Sequence, residues 1–212
     1  MRDMPMFTTT NGVASLTLRE IPYKKTAYIR IQDTQAPNDL LRECCDFCKA
    51  VGAEHVYATG HRIVETYPVH TEIWRMTCFR STLPDADAAL FPVQEKTLEQ
   101  WRTIYNEKML NVPNARFMTT MDAKELLAKG NGYFIHRDNV LLGIGIASGD
   151  CVDAIAAVIP GAGKDVLLSL SHALSADQIK LKVASKNQKA IRLYEELGFI
   201  KTERIEIWYQ II

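Results

Sequence analysis

The sequence predicts a mixed α/β sheet, folded as one large domain or two small ones. Three observations lead there. Of 212 residues, 47% are hydrophobic and 24% charged, so the chain can bury a core large enough to offset its ordering entropy. Runs alternating at period two recur along the chain, interleaved with runs at helical spacing. Turn formers separate these runs, although only 11 Gly and 8 Pro are present. Helices interleaved with strands favour a sheet covered by helices.

Leu16-Thr-Leu18 and Ala27-Tyr-Ile29-Arg-Ile31 alternate as half-buried strands do. Pro37-Asn38-Asp39 opens a helix in which Leu41, Cys44, Cys48 and Val51 share a face, and Gly52 closes it. His55 to Ala58 and Ile73 to Arg80 follow as strands, the second with Trp74, Met76 and Cys78 on one side. Leu83-Pro84-Asp85-Ala86-Asp87 mixes turn formers with small residues and is the expected linker. It divides residues 1–88, an N-terminal α/β subdomain, from residues 89–212.

Beyond the linker, Leu98 to Met109 has helical spacing, broken before Pro113, and Asp122 to Lys129 is a short helix ended by Gly130. Tyr133 to Ile135 and Val140 to Ala147 form a hairpin turned at Arg137-Asp138-Asn139. Val152 to Val158 is a strand stopped by Pro160-Gly161-Ala162-Gly163. A helix from Asp165 to Leu174 and a strand from Ile179 to Val183 come next. Ser185-Lys-Asn-Gln188 fits a capping box for a helix ending at Gly198, and Ile205 to Ile211 is the last strand. Leu40-Leu41 precedes Val56 by the spacing at which Leu167-Leu168 precedes Val183. A degenerate duplication and the ordinary rhythm of an α/β protein both explain this echo.

Lys+Arg and Asp+Glu number 25 each, which argues against nucleic acid or an anionic membrane as partner. Residues 1–90 carry 10 basic and 11 acidic side chains, so neither part is polarised. Val140–Ala147, among the longest apolar runs, is far below the roughly 18–20 residues of a membrane span. Met1-Arg2-Asp3-Met4-Pro5 leads into a Thr-rich stretch, not the apolar core of a signal peptide. Five cysteines, an odd number, agree with a reducing compartment; the cytoplasm is the expected location.

Three motifs fail on inspection. Gly143-Ile-Gly145-Ile-Ala-Ser148 lacks the third glycine of a dinucleotide fingerprint and sits inside a strand pattern. Gly163-Lys164 lacks the other parts of a P-loop, since Val158 and Asp165 stand where glycine and Ser/Thr are needed. Cys45-Asp-Phe-Cys48 lies inside a helix rather than at its start, where a thiol pKa would fall, so Cys44, Cys45 and Cys48 are expected in the core. The histidines His55, His61, His70, His136 and His172 have no ligand spacing, and no metal is expected.

The strongest signal is Val183-Ala-Ser-Lys-Asn187-Gln-Lys-Ala190-Ile-Arg-Leu193-Tyr194-Glu-Glu-Leu197-Gly198-Phe199. Physically it is a strand, a capped helix with Ala190, Leu193 and Leu197 on one face, a glycine stop and an aromatic leading to a last strand. It resembles the N-x-x-A-x-x-L-Y-x-x-x-G-F signature of the GNAT acetyltransferase superfamily. Upstream, Ala156-Ala157-Val158-Ile-Pro160 and Gly161-Ala162-Gly163-Lys164-Asp165 resemble that family's V-x-P strand end and its glycine-rich loop, where the amides of a helix start bind the coenzyme A pyrophosphate. The order of elements carries the resemblance over about the last 120 residues. The loop departs from the family's Q/R-x-x-G-x-G/A, with Pro160 at the Q/R position and Asp165 at the last glycine.

The resemblance implies a GNAT-like fold with an additional N-terminal βαββ subdomain, in one reading a degenerate half-unit. It implies an N-acetyltransferase that moves the acetyl group of acetyl-CoA directly to an amine of a small molecule or protein. Ala157, Val158, Gly161, Ala162, Gly163, Lys164, Asp165, Asn187, Ala190 and Tyr194 are the implied coenzyme-binding residues. The Val158 N–H would be the oxyanion or pantetheine donor, Asn187 would hold the pantetheine arm, and Tyr194 would protonate the sulfur. Asp153, on the strand leading to Val158, is the nearest carboxylate to serve as base, with water relayed to bulk as the alternative. The helices around Trp101–Met109 and Asp122–Lys129 would flank the acceptor cleft, although Trp101, Tyr105 and Met109 read first as core. A homodimer is within the expectation. The rival reading is a catalytically inactive acyl-CoA-binding or interaction module on the same fold, motivated by Pro160 and Asp165.

Overall fold

The structure, a computed structural model, describes residues 5–212, so the reading of Met1–Met4 lies outside the described residues. The chain divides into two units, one running to Glu72 and including Ile205–Ile212, the other Ile73–Arg204.

The first unit contains β1 (Met6–Thr9), β2 (Gly12–Thr17), α1 (Ile21–Lys24), β3 (Thr26–Thr34), α2 (Pro37–Ala50) and β4 (His55–Thr59). β1, β2 and β3 pair antiparallel and β3 pairs parallel with β4. Pro37 in the first turn of α2 meets no hydrogen-bonding demand there. The helix buries Leu40, Leu41, Cys44, Cys45 and Cys48 against Ala27, Ile29, Ile31, Val56 and Ala58. The three thiols are therefore core, as expected from their spacing.

β5 (Val69–Phe79) leads into the second unit, which continues with β6 (Ala89–Pro92), α3 (Leu98–Met109), α4 (Thr120–Lys129), β7 (Gly132–Arg137) and β8 (Val140–Ser148). β9 (Cys151–Ala157), α5 (Gly163–Ala173), β10 (Gln178–Ala184), α6 (Gln188–Glu196) and β11 (Ile200–Gln210) complete the chain. The strand order in this unit is β6-β7-β8-β9-β10-β5-β11. β9 and β10 are parallel, joined across α5, and β10 runs antiparallel to β5. The last residues of β11 return to the first unit, where Tyr209 and Gln210 pair with β4.

Alternation along these strands gives the second unit's sheet two apolar faces. On one, α5 and α6 bury Val166, Leu167, Leu170, Ile191 and Tyr194 against Met76, Leu142, Ile179 and Leu181. On the other, α3 and α4 bury Trp101, Tyr105, Met109, Ala123 and Leu126 against Phe134, Ile144, Ala154 and Ala156. Trp101 is fully buried, its Nε1 donating to the Tyr133 carbonyl at 2.9 Å, and so belongs to the core.

Several expectations change. β1, β6 and α1 are four residues each, too short to give a periodic signal. The expected linker is packed into the second unit: Leu83 is buried, His172 Nε2 donates to the Pro84 carbonyl at 2.8 Å, and Ser169 Oγ donates to the Ala88 carbonyl at 3.0 Å. The capping box at Ser185 does not form. The Asn187 N–H bonds back to the Ala184 carbonyl in a turn, so the helix starts later and Asn187 is its N-cap. Among the described residues no helix is long and apolar enough to cross a membrane.

Candidate active site

The candidate site begins where two parallel strands part. β9 and β10 are registered at Cys151↔Lys180 and Val152↔Leu181 only. Beyond that point β9 stays paired with β8 to Ala157↔Gly143, and β10 stays paired with β5 to Ala184↔Ile73. In the first unit the corresponding parallel pair, β3 and β4, is registered from Thr26↔His55 through Arg30↔Thr59 without parting.

Backbone alternation decides which amides face the gap. The Val158 N–H donates to the Leu142 carbonyl on β8 at 2.8 Å, so it is not the open donor that the resemblance implied. Ala157, one residue earlier, turns its N–H to the opposite edge, where β10 has left. The register of β9 against β8 skips one residue, passing from Ala154↔Ile146 to Val152↔Ala147. Asp153 is that extra residue, and a bulge of this kind re-aims a side chain and loosens local pairing.

The loop after β9 turns at Gly161, whose φ of +89° favours glycine. Ala162 is buried and is the N-cap of α5, with no side chain capping it; the first intrahelical bond runs from the Val166 N–H to the Ala162 carbonyl. The amides of Gly163, Lys164 and Asp165 precede that bond and have no partner within the helix. A Cβ on Gly163 would lie 3.1 Å from Leu193 Cδ2, so the glycine lets α6 close against the start of α5.

Charge around this helix start includes residues that sequence reasoning missed. The Asp165 carboxylate, expected to oppose an anion, pairs with the Arg137 guanidinium at 3.3 Å. Lys108 Nζ on α3 donates to the Val158 carbonyl at 3.4 Å. With Lys164, three cations sit about the loop. The sequence marks Arg137 only as part of a hairpin turn, and that turn forms, with Asp138 and Asn139 both at positive φ.

On α6, Asn187 Oδ1 accepts from the Ala190 N–H at 3.3 Å, so this oxygen is committed to the helix cap. Tyr194 is buried with its ring 6.1 Å from that of Phe199, and desolvation pushes its hydroxyl up to about 12. Ala190 and Leu193 are half-buried against the same core. Asp153 stands apart, four residues from Ala157, which is about 13 Å along a strand. Asp153 is exposed, and partial desolvation of its carboxyl by the surrounding strands, with a contribution from Asp150, raises it above its usual value, which Lys182 opposes. Asp150 is held low by Lys180, whose Nζ lies 2.6 Å from it. Among the described residues no three His, Cys, Asp or Glu side chains converge as metal ligands.

No family model and no curated protein sequence matches the chain. Solved structures do. A conserved protein of unknown function from Staphylococcus epidermidis ATCC 12228 superposes with a TM-score of 0.60 at 11% identity, covering 99% of this chain and 94% of its own. A GCN5-related N-acetyltransferase from Sphaerobacter thermophilus gives 0.55 at 11% identity over 93% of this chain and 75% of its own. A GNAT-family acetyltransferase from Colwellia psychrerythraea gives 0.51 at 12% identity, over 97% and 84%. With its parted parallel strands and the helix that follows them, the chain has the GNAT acetyltransferase fold.

Proposed function

We propose that this protein is a cytoplasmic N-acetyltransferase that uses acetyl-CoA and transfers its acetyl group directly to an amine. The observation that carries the reading is the parting of β9 from β10 beside an uncapped helix start. A parted strand edge offers amides to an extended pantetheine arm, and a helix start offers N–H donors and a dipole to pyrophosphate. Gly161 and the amides of Gly163, Lys164 and Asp165 would hold the pyrophosphate, the Ala162 N–H being already given to the Ile159 carbonyl at 3.2 Å, and Asn187 Nδ2 and Ala190 would line the arm.

In the reaction the acceptor ammonium first gives one proton to a base. That base is Asp153 acting through a chain of waters, given its distance from Ala157, or water relayed to bulk. The amine nitrogen then bonds to the thioester carbon, and the Ala157 N–H stabilises the oxyanion. Collapse breaks the C–S bond, Tyr194 gives its hydroxyl proton to the departing sulfur, and the second proton on nitrogen restores the tyrosine through solvent. Ammonium and acetyl-CoA thus become amide, free thiol and one released proton. Burial keeps Tyr194 fully protonated at neutral pH and also makes it a weaker acid, so its proton passes to the sulfur only as the proton on nitrogen replaces it.

Asp165 in the first turn of α5 favours a second reading, an acyl-CoA-binding module without turnover. Calorimetric titration with acetyl-CoA, with desulfo-CoA and NADH as controls, tests the site, and amine-dependent thiol release separates the readings. Binding near micromolar, about −8 kcal/mol, with thiol release supports the enzyme; binding without release supports the module. No binding at millimolar ligand overturns both.

A further inference from the structure

On the sheet face opposite α5, a row of charges crosses four strands of the second unit. β10 buries Ile179, Leu181 and Val183, so Lys180 and Lys182 face the other way. The antiparallel register sets Arg75 directly opposite Lys182, as Met76 is set opposite Leu181. Like charges directly opposite on neighbouring strands destabilise a sheet, so this pair needs a reason. Each cation has an acid on its outer side: Arg75 forms an ion pair with Glu203, and Lys182 has Asp153. The row reads acid, cation, cation, acid.

This is the face on which α3 and α4 pack, because Ala154 and Ala156 of β9 belong to their cluster. That cluster includes no residue of β10, β5 or β11, and the row stays open beside it. Asp153 and Lys182 are exposed, and the side chains of Arg75 and Glu203 are 36% and 54% accessible. Val152 packs on the α5 side, so alternation turns Asp153 to this face, and the bulge keeps Ala154 there too, at the level where β9 and β10 part. The uncapped start of α5 belongs to the other face.

We propose that Asp153, Lys182 and Arg75 form a binding site for an amino-acid zwitterion, with the ammonium at Asp153 and the carboxylate at Lys182 and Arg75. Lys182 and Arg75 lie on paired strands about 4.8 Å apart, and Asp153 stands across the opening gap, an arrangement in which a carboxylate reaches both cations and an amine a few bonds away reaches the acid. An ammonium at Asp153 releases Lys182 from its acid, and a carboxylate at Lys182 and Arg75 answers it, so a ligand with only one of the two charges would break a pair without replacing it. An ammonium held at Asp153 lies about 13 Å along β9 from Ala157 and would have to move along the gap to be acetylated; that the zwitterion is the acetyl acceptor rests on the function proposed above, and that it binds does not.

The test titrates the full chain, without acetyl-CoA, against each common amino acid, its carboxamide and its N-acetyl derivative. At least one amino acid is expected to bind ten-fold or more tightly than either of its derivatives. Lys182→Met should erase the preference over the carboxamide, Lys182→Arg should keep it, and Asp153→Asn should erase the preference over the N-acetyl form. Circular dichroism melting verifies that each variant is folded. If every amide binds as well as its acid, or if the preference survives Lys182→Met in a folded protein, the site is overturned. The same amino acids are then offered as acceptors with acetyl-CoA: selective binding without acetyl transfer keeps this site as a binding site and removes it from the reaction, leaving the acetyltransferase reading to thiol release with other amines, whereas transfer to carboxamides as readily as to acids keeps that reading and overturns this site as its acceptor site.

Discussion

Arg137, the last residue of β7, holds the carboxylate of Asp165 at 3.3 Å, at the third position of α5. The pair links a hairpin to the helix start that would receive a pyrophosphate. It partly neutralises a charge that would repel the ligand, and it brings an arginine beside a loop in which Pro160 stands where the family pattern has Gln or Arg. Asp165→Asn is expected to tighten acetyl-CoA binding about 3- to 10-fold, and Arg137→Met to weaken it about 10-fold. Each figure corresponds to about 1 kcal/mol of charge interaction near a helix terminus. Calorimetry at low and high salt checks both, because screening should shrink the differences. Unchanged affinity in both variants would remove the start of α5 from the binding site.

Tyr194→Phe separates packing from proton transfer. The ring packs beside Phe199 and the residue is 9% exposed, so phenylalanine keeps the apolar contacts and removes only the hydroxyl. Turnover should fall about 100-fold or more, since a positioned general acid typically contributes about 10²- to 10⁴-fold, while the dissociation constant for acetyl-CoA stays within two-fold, on the order of 0.4 kcal/mol. Thiol-release kinetics and calorimetry measure the two quantities. A large loss of affinity would instead make the hydroxyl part of binding.

How much of this was legible depends on the range of the interaction. From Asn187 to Phe199 the segment folds as its spacing suggests, because Ala190, Leu197 and the glycine stop at Gly198 act within one helix, while the cap falls at Asn187 and not at Ser185 because the chain first turns back on Ala184. The turn at Asp138-Asn139 is equally local. Long-range features left no such trace. That β5 should pair with β10, about a hundred residues later, is decided by complementary edges and buried faces rather than by any local pattern. The Arg137–Asp165 pair and the Arg75–Lys182 register depend on that assembly. The wrong choice of donor at Val158 has the same origin, since a bond to Leu142 is visible only once β8 and β9 are aligned.

Gly145 shows a rejected motif with another use. A Cβ there would lie 2.2 Å from Leu170 Cδ1 and 2.9 Å from the Ala154 carbonyl oxygen, so the glycine lets α5 press onto β8. Gly145→Ala is expected to cost about 1–3 kcal/mol, the usual range for overpacking. Leu170→Val in the same chain should recover part of this, since it shortens the obstructing side chain. Urea unfolding of the single and double variants checks the coupling. Additive losses would mean that the strain lies at the carbonyl instead.

The buried thiols of the first unit predict how the protein fails in base. Burial pushes Cys44, Cys45 and Cys48 up to about 12, 11 and 12. In an unfolded chain a thiol titrates near about 8.5. Below that pH both states hold these protons and the stabilisation is complete. As pH rises toward the folded values, the unfolded chain releases protons that the folded chain retains, and stability falls. The slope is about 1.4 kcal/mol per pH unit for each thiol, or about 4 for three. The urea midpoint should therefore hold steady to about pH 8 and drop steeply between about pH 9 and 11. Tyr194, raised from 10.0 to about 12, steepens the loss in the second unit above pH 10. Replacing Cys48 with alanine should flatten the alkaline slope by about one third, even though it lowers stability at neutral pH. A midpoint that stays level to pH 10.5 would mean that solvent reaches these thiols in the folded protein.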